Sequence, residues 1–355
     1  MQYTKVNLTT GIIYFFVHFV IETLSFAILS TKFADTQVLF TIMLFDLLAF
    51  APQGLLGYFY EHHKNINIGY IGMSFLAISL FLCNVHQSLI FNLGIVFLGI
   101  GNAILHELAA IDTISNSESK IFSSTIFVGG GSFGLCLGKM YHYFSDNLLW
   151  LLIFVAIGFG LIYFADKIRN TDFYKSDFKY PEFDICKPSM PILFILFCVF
   201  ITTTIRGFVA YTIPTAWCDE VWEICILYIF MGSGKTFGGY ACDKWGYRKV
   251  GIITTLGAIP FLILGDNNMI VSVLGIFLFS MTMGISFAMG VSALKKSVAL
   301  AFGITTIGLV LGIFVNYFYE QSFWSNVILI CVISVICAIL FGVTLKKETN
   351  KALTN

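Results

Sequence analysis

Charged side chains are scarce in this sequence. Lysine, arginine, aspartate and glutamate make up 11% of its 355 residues, whereas a soluble domain carries about 25%. Apolar residues account for 58%, so the charged side chains are too few to cover the surface of a soluble protein of this size. The composition argues against a soluble enzyme and against disordered, collagen-like and nucleic-acid-binding proteins. It predicts an integral membrane protein.

Motifs for metal binding and catalysis are also missing. The nine cysteines are scattered without a Cys-x-x-Cys or Cys/His spacing, so we interpret them as small packing residues. No Ser/Lys, His-Glu-x-x-His or paired-Asp arrangement indicates an intramembrane enzyme. The stretch GSGKT at 232–236 lacks the first glycine of a nucleotide-binding loop, because position 229 is Ile. The sequence therefore predicts no enzyme, cofactor, metal, nucleotide or nucleic-acid partner.

Apolar windows of about 20 residues, the length that crosses a bilayer, predict an all-α integral membrane protein with twelve transmembrane helices. They cover residues 11–31, 36–58, 66–82, 88–112, 120–144, 147–165, 190–212, 221–242, 250–265, 268–290, 297–318 and 323–345. The predicted domains are a six-helix bundle (1–165), a charged cytoplasmic linker (166–189) and a six-helix bundle with a short cytoplasmic tail (190–355). We expect the charges of the linker mainly to keep it solvated.

Two segments resemble each other across the linker. Residues 119–138 read SKIFSSTIFVGGGSFGLCLG and residues 295–312 read KKSVALAFGITTIGLVLG. Each opens on basic or polar residues and closes on a glycine-spaced apolar run. This similarity predicts a duplicated chain with two pseudo-symmetric bundles.

Lysine and arginine are unevenly distributed between the two sides of the predicted spans. If the N-terminus is cytoplasmic, sixteen of the twenty basic residues lie in cytoplasmic loops and termini. Lys32 is then the one base of the outer loops, and Lys139, Arg206 and Lys235 lie within spans. Because cytoplasmic loops are enriched in basic residues, we predict a multi-pass protein of the cell (inner) membrane with both termini cytoplasmic. The first apolar segment lacks a small-residue cleavage site and is interpreted as a retained span.

One short motif identifies a family resemblance. Gly239-Tyr-Ala-Cys-Asp243-Lys244-Trp-Gly246-Tyr-Arg248-Lys249 resembles the loop signature of major facilitator superfamily transporters. The resemblance implies alternating access, with this loop as a gating element. Its counterpart Gly57-Tyr-Phe-Tyr-Glu61-His-His-Lys64 keeps the glycine and an acid but lacks the following Gly and Arg pair. We expect weaker charge contacts there.

Four further stretches are similar to the fosmidomycin-resistance branch of that superfamily. They are FDLLAFAPQGLLG (45–57), GIGNAILHELAA (99–110), the lone Arg206 and GSGKTFGGYACDKWG (232–246). The resemblance implies a secondary active transporter for a small organic molecule, coupled to protons, with antiport and export as the expected mode. The expected partners are the substrate, protons and membrane lipid, and the expected state is a monomer.

Ionisable residues within spans are costly and normally face a cavity or one another. His18 and Glu22 lie four residues apart on one helix face, and we predict that they and Asp46 form a proton-coupling site. The alternative is a buried ion pair that joins two helices. Arg206 and Lys235 in the second half are expected to meet the acids of the first half across a central cleft, as substrate-binding or counter-ion groups.

His106 and Glu107 are assigned to the same substrate-binding or counter-ion group. They lie near the cytoplasmic end of the fourth span, where the alternatives are a gate and a solvated helix end. Adjacent helical positions point about 100° apart, so the two side chains need not share one site.

A glycine stripe in the fifth span consists of Gly130, Gly134 and Gly138. We interpret it as a surface for close helix packing, which could also be a seam where two conformations differ. The alternative function for the whole chain is a non-transporting membrane sensor or scaffold that retains the transporter fold. The sequence does not determine the substrate, the direction, the coupling ion and its stoichiometry, the oligomeric state or the conformation.

Overall fold

The protein is almost entirely helical in the described residues. A computed structural model describes residues 3–30, 38–85, 87–175 and 177–347. Lys32, and Lys351 as one of the sixteen basic residues assigned to the cytoplasmic side, lie outside these ranges. The described residues form fourteen α-helices: α1 (Lys5–Ser30), α2 (Val38–Phe50), α3 (Gln53–His62), α4 (Ile68–Cys83), α5 (Ser88–Ser115), α6 (Phe122–Met140), α7 (Leu152–Ile168), α8 (Ile192–Thr212), α9 (Val221–Trp245), α10 (Tyr247–Leu264), α11 (Met269–Ser280), α12 (Met283–Ala293), α13 (Val298–Tyr317) and α14 (Phe323–Thr344). No disulfide joins the nine cysteines, all of which lie in the described ranges.

Each predicted span overlaps one helix or two consecutive helices. In the described ranges, nine helical segments have the length and apolar character to cross a membrane, and α4 is a shorter apolar helix. Helices α6 and α9 are outside this set because α6 is rich in glycine and serine and α9 carries Lys235 and Asp243. These two helices pack on each other, so their polar faces are turned away from lipid. The chain is a multi-pass membrane protein.

Two of the predicted spans are broken near their middle. Between α2 and α3, Pro52 has no N–H to donate, and side chains bond the carbonyls beside it. Gln53 Nε2 lies 2.6 Å from Ala49 O, and Thr306 Oγ1 of α13 lies 3.1 Å from Phe50 O. The second break, between α11 and α12, is described with the site below. Non-helical backbone at membrane depth is tolerated where protein covers it.

The glycine stripe of α6 packs against α1. Cβ atoms added at Gly130, Gly134 and Gly138 would collide with the backbone near Phe15, Phe19 and Thr23 respectively. The stripe therefore joins two helices of the N-terminal half (α1–α7), as the packing interpretation predicts. In the C-terminal half (α8–α14), α13 packs against α8 in the same way through its own glycines, Gly308 and Gly312.

The two halves meet along two helix pairs that approach closely at glycines. A Cβ atom at Gly232 of α9 would lie 2.9 Å from the Gly129 carbonyl oxygen of α6. A Cβ atom at Gly54 of α3 would lie 3.1 Å from the Gly303 Cα of α13. The GSGKT stretch lies inside helix α9, so it does not form a nucleotide-binding loop.

The segment between α7 and α8 is packed against one end of the helices, which we call the linker face. Phe173, Tyr180 and Phe183 are buried. Arg169 forms a buried ion pair with Asp112 of α5, with Nε 2.8 Å from Oδ2. At least one charged residue of this segment, Arg169, therefore has a structural role in addition to solvation.

The same segment also contacts both halves. On the N-terminal half, Lys64 Nζ donates to Phe173 O at 2.6 Å. On the C-terminal half, an isolated backbone bridge joins Cys186 to Leu345, just after α14. The linker is thus a strap attached to both halves.

Candidate functional site

His18, Glu22 and His106 form a buried cluster between α1 and α5. The Nε2 atoms of the two histidines lie 2.8 Å apart, and each lies 3.7 Å from Glu22 Oε1. The amide of Asn102, one turn before His106, donates to the same Glu22 oxygen at 3.0 Å. The four-residue spacings of a helix align His18 with Glu22 on α1 and Asn102 with His106 on α5.

The hydrogen bonds of this cluster define where a proton fits. His18 Nδ1 lies 2.9 Å from Phe127 O, and His106 Nδ1 lies 2.9 Å from Asn102 O. Carbonyl oxygens only accept hydrogen bonds, so each Nδ1 is the donor and each Nε2 of a neutral ring carries a lone pair. Two lone pairs repel each other at this separation. The arrangement therefore fits one proton shared between the two rings, with Glu22 as its counter-charge.

The same three side chains are the set of His, Cys, Asp and Glu in the described residues that could hold a metal ion, since their ligand atoms lie within 4.8 Å of one another. Two imidazole nitrogens bound to tetrahedral zinc at about 2.0–2.1 Å lie about 3.3 Å apart. The observed separation of 2.8 Å is shorter. A shared proton fits the geometry better than a zinc ion does.

Asp46 of α2 lies outside this hydrogen-bonded cluster. It is buried, and its Oδ2 accepts a hydrogen bond of 3.0 Å from the hydroxyl of Tyr317 at the end of α13. This bond joins the N-terminal half to the C-terminal half. Asp46 shares no hydrogen bond with Glu22, with which the sequence grouped it, but lies near enough to interact with its charge.

Glu107 points away from its neighbour His106. Its side chain is fully buried beside Gly57 of α3 and Ala299 of α13. Neither of its carboxyl oxygens has a hydrogen-bond partner among the described residues. The sequence grouped the two residues, but they lie in different surroundings and neither is a solvated helix end.

Arg206 of α8 is bound at the break between α11 and α12. Its Nη1 donates to Phe279 O at 2.9 Å and to Thr282 Oγ1. Its Nε is buried without a hydrogen-bond partner among the described residues. One N–H group of the guanidinium is therefore buried with its hydrogen-bonding capacity unused by the described residues.

Lys235 of α9 contacts the N-terminal half without an acid. Its Nζ donates to Ser132 Oγ of α6 at 2.9 Å. In the described ranges no ion pair joins Lys235 or Arg206 to Glu22 or Asp46. Acids and bases therefore do not pair directly in this conformation: hydroxyl and carbonyl groups bind both cations, and Glu22 lies near enough to act on the charge of Lys235.

Asp243 connects the end of α9 to the start of α6. Its two carboxylate oxygens each accept a backbone hydrogen bond of 3.0 Å, from Ile121 N and Phe122 N. An anion at a helix N-terminus is favoured by the unpaired N–H groups and by the helix dipole. Gly239, one turn earlier, has no room for a Cβ atom because Thr125 of α6 occupies the space.

Glu61 of α3, in the N-terminal half, binds the start of α13, in the C-terminal half, in the same way. Its Oε1 accepts from Val298 N at 2.9 Å and Ala299 N at 3.2 Å at the start of α13, and its Oε2 accepts from Ser297 Oγ at 2.5 Å. The sequence predicted weaker charge contacts in this loop. In the described ranges Glu61 forms no ion pair, and backbone N–H groups and a serine bind it instead. We call the Glu61 and Asp243 contacts the linker-face latches.

The linker takes part in the first latch. Tyr180 donates its hydroxyl hydrogen to Glu61 Oε1 at 2.8 Å. Burial, together with the Glu61 carboxylate beside it, raises the pKa of Tyr180 well above its ordinary value. Tyr180 therefore stays protonated and remains a donor.

The remaining motif residues shape the turn after Asp243. Gly246 has φ 96°, a conformation that favours glycine. Arg248 Nε donates to Gly342 O of α14 at 3.1 Å, and Lys244 Nζ donates to the Tyr240 hydroxyl at 3.2 Å. Lys249 is exposed. Among the described residues, the hydrogen bonds of Lys244 and Arg248 stay within the C-terminal half and hold the turn.

Sequence reasoning missed several partners of the predicted residues. Asn102 could have been predicted from the sequence, since it is an amide in an apolar span four residues before His106. No sequence pattern predicted the contacts of Tyr317, Thr282 and Ser132, because single hydroxyl groups are common in membrane helices and their partners lie far away in sequence.

No protein-family model and no curated protein matches this sequence. Solved structures do match. The fucose:proton symporter FucP of E. coli has a TM-score of 0.70 at 13% identity, over 97% of this chain and 99% of that chain. The human organic anion transporter MFSD10 (TETRAN) has a TM-score of 0.70 at 12% identity, over 95% of this chain and 99% of that chain. At such identities the similarity establishes the fold alone: this chain has the fold of these two transporters.

Proposed function

We propose that this protein is a secondary active transporter that moves a small organic anion by alternating access and couples the movement to protons. The observation that carries the proposal is the buried His18–His106 pair, with its Nε2 atoms 2.8 Å apart beside Glu22. Such a group costs several kcal/mol in a membrane protein. A protein that only needed the fold would have no use for it.

Protonation of the histidine pair is coupled to the relative position of two helices. His18 lies on α1 and His106 on α5, and the shared proton joins them. When the proton leaves, two lone pairs face each other and the rings must separate. Protonation thus favours one arrangement of α1 and α5 and deprotonation favours another, which is the differential interaction that a conformational shift requires.

A negative charge on the substrate follows from two basic residues of the C-terminal half. In the described residues, Arg206 and Lys235 are cations without a carboxylate partner, and Arg206 Nε has no hydrogen-bond partner. Buried cations need a counter-charge. A carboxylate or phosphate of the substrate would supply it and displace Ser132 from Lys235. The two structural neighbours, a fucose:proton symporter and an organic anion transporter, agree with these two parts of the proposal.

The topology belongs to the same proposal. We infer twelve crossings in two six-helix bundles, with α2–α3 and α11–α12 each crossing once, and both termini on the cytoplasmic linker face of the cell (inner) membrane. The wild-type unit would be a monomer without enzymatic activity. Export by antiport, and the narrower resemblance to the fosmidomycin-resistance branch, remain predictions that rest on sequence motifs alone.

The test is proton flux in proteoliposomes that contain a trapped pH dye. A panel of small carboxylates and organic phosphates is added across an imposed proton gradient, and we expect at least one compound to drive proton movement. Glu22→Gln should abolish that movement. Glu182→Gln is the matched control, because this linker acid is 72% exposed, and it should behave as wild type.

Two results would contradict the proposal in different ways. Unchanged compound-driven proton flux in Glu22→Gln would remove the proton site from this cluster. No flux and no counterflow with any compound of the panel would contradict organic anion transport and favour the sensor or scaffold.

A further inference from the structure

Cys136 and Cys225 face each other across the contact between the two halves. Cys136 lies near the end of α6 and Cys225 lies in the second turn of α9. The two thiols lie close enough to interact, and Cys225 Sγ lies 2.9 Å from Met140 Sδ, one turn after Cys136. Both cysteines are partly exposed. Nothing in the transport proposal uses this sulfur cluster.

The backbones of α6 and α9 are close enough along this line for a covalent link. The helices run antiparallel, and Thr125 Oγ1 donates to Thr236 O at 3.3 Å. Farther along, Gly129 faces Gly232, where added Cβ atoms would meet the opposite carbonyl oxygens at 3.0 and 2.9 Å. A close helix approach of this kind brings Cα atoms toward the separation of about 4.4–6.8 Å that a disulfide spans.

The same register continues to the two thiols. Cys136 follows Gly129, and Cys225 precedes Gly232, by the same number of residues, which corresponds to two helical turns. Positions two turns apart lie on the same face of a helix. The cysteines therefore continue the line of contact that the glycines begin, at the end of the helix pair away from the linker-face latches.

We propose that Cys136 and Cys225 are a thiol-oxidation site at which a hydroperoxide forms a disulfide between the two halves. The Cys225 thiolate attacks one oxygen of the hydroperoxide, the O–O bond breaks, and Cys225 becomes a sulfenic acid while water or an alcohol leaves. The Cys136 thiol then attacks the sulfenic sulfur, the S–O bond breaks, and a second water leaves. Two thiols lose two electrons, and the hydroperoxide gains them. A dithiol reverses the reaction by exchange.

The disulfide prevents the two halves from separating along α6 and α9, and we call this effect the lock. The latch of Asp243 holds α9 to α6 at the linker face, and the disulfide holds the same two helices about 20 Å away. With both ends tied, α6 and α9 cannot separate at either face. The oxidised protein is therefore held closed at the end of the helix pair that carries the thiols, independently of any substrate.

Peptide mapping tests the site directly. The full-length protein is treated with hydrogen peroxide, remaining thiols are alkylated with N-ethylmaleimide, and the digest is searched for linked peptides by mass spectrometry. We expect one dominant linked peptide that joins Cys136 to Cys225 and disappears with dithiothreitol. Cys136→Ser and Cys225→Ser should each lose it. Cys331→Ser on α14, a control of similar exposure, should retain it.

Hydrogen exchange tests the lock. Backbone amides around residues 136–140 and 221–228 should exchange more slowly by about tenfold or more after oxidation, because the disulfide prevents the two helix ends from opening separately. The rates should recover on reduction. A linked peptide between other cysteines, no linked peptide, or unchanged exchange in the linked protein would each overturn the proposal. A failure of proton flux in the transport assay would not affect either measurement.

Discussion

Glu61 and Asp243 hold the linker face closed by the same contact made in opposite directions. Glu61, at the end of α3, accepts the Val298 amide at 2.9 Å, and Asp243, at the end of α9, accepts the Phe122 amide at 3.0 Å. Each acid belongs to one half and binds the first turn of a helix in the other half. The two halves therefore carry matching latches, in keeping with the predicted duplication, even though the two loops differ in sequence.

The latches predict selective changes in hydrogen exchange. Glu61→Gln should speed exchange of the Val298 and Ala299 amides by about fivefold or more, because a charge-assisted hydrogen bond becomes a neutral one. Asp243→Asn should do the same at Ile121 and Phe122. Hydrogen–deuterium exchange with peptide resolution measures both.

Asp219→Asn is the control for the latches. This acid is exposed at the opposite end of the helices, and its loss should leave both sets of amides unchanged. Equal acceleration of both helix starts in all three variants would mean that general loosening, and not the loss of one cap, causes the effect.

The shared proton predicts that one histidine is required for coupling. His106→Asn removes one of the two facing Nε2 atoms, so the remaining ring cannot share a proton with it. Compound-driven proton flux in proteoliposomes should fall by about tenfold or more, equivalent to about 1.4 kcal/mol, while counterflow of the compound persists.

His62→Asn provides the matched comparison for His106. His62 is exposed at the end of α3, and its replacement should leave flux and counterflow at the wild-type level. If His106→Asn moves as many protons per substrate as the wild type, the pair is a structural contact.

The contact between α1 and α6 predicts a difference between two glycines. Gly134→Ala should destabilise the protein by about 1–3 kcal/mol, because the new Cβ atom would lie 2.9 Å from Phe19 Cα. Gly160→Ala on α7 places its Cβ atom where no heavy atom lies within 4 Å, and it should be neutral or stabilising by up to about 1 kcal/mol. The melting temperatures of the purified variants compare them. Equal melting temperatures would show that α6 can shift away from α1 without cost.

The linker predicts unequal consequences for two ion pairs. Arg169 and Asp112 are both 2% exposed, whereas Lys175 and Asp172 are 66% and 62% exposed. Arg169→Gln leaves Asp112 buried without its counter-charge, which should cost about 3–5 kcal/mol. Lys175→Gln should leave the melting temperature unchanged, because water screens an exposed pair.

A double variant separates lost charge from lost packing at Arg169. Asp112→Asn removes the stranded charge, so Arg169→Gln combined with Asp112→Asn should recover most of the stability lost in Arg169→Gln. A double variant as unstable as the sum of the two single variants would assign the loss to packing and hydrogen bonds.

The sequence by itself determined the environment of this protein and the position of its helices. A low fraction of charge and long apolar segments are local properties, and they follow directly from the cost of placing polar groups in a bilayer. The predicted spans therefore overlap the helices closely. Spacing along one helix is also local, and it correctly placed His18 and Glu22 on one face.

Only the tertiary structure decided which charged groups meet. His106 belongs with His18, Asp46 with Tyr317, and Glu61 with the start of α13. Each of these contacts joins residues far apart in sequence, and its energy depends on distances of a few ångströms that helix packing sets. Glu61 shows the reason most clearly. The sequence suggested a weak gate because its basic residues were missing, but a helix N-terminus supplies positive potential through backbone N–H groups, which no side-chain motif records.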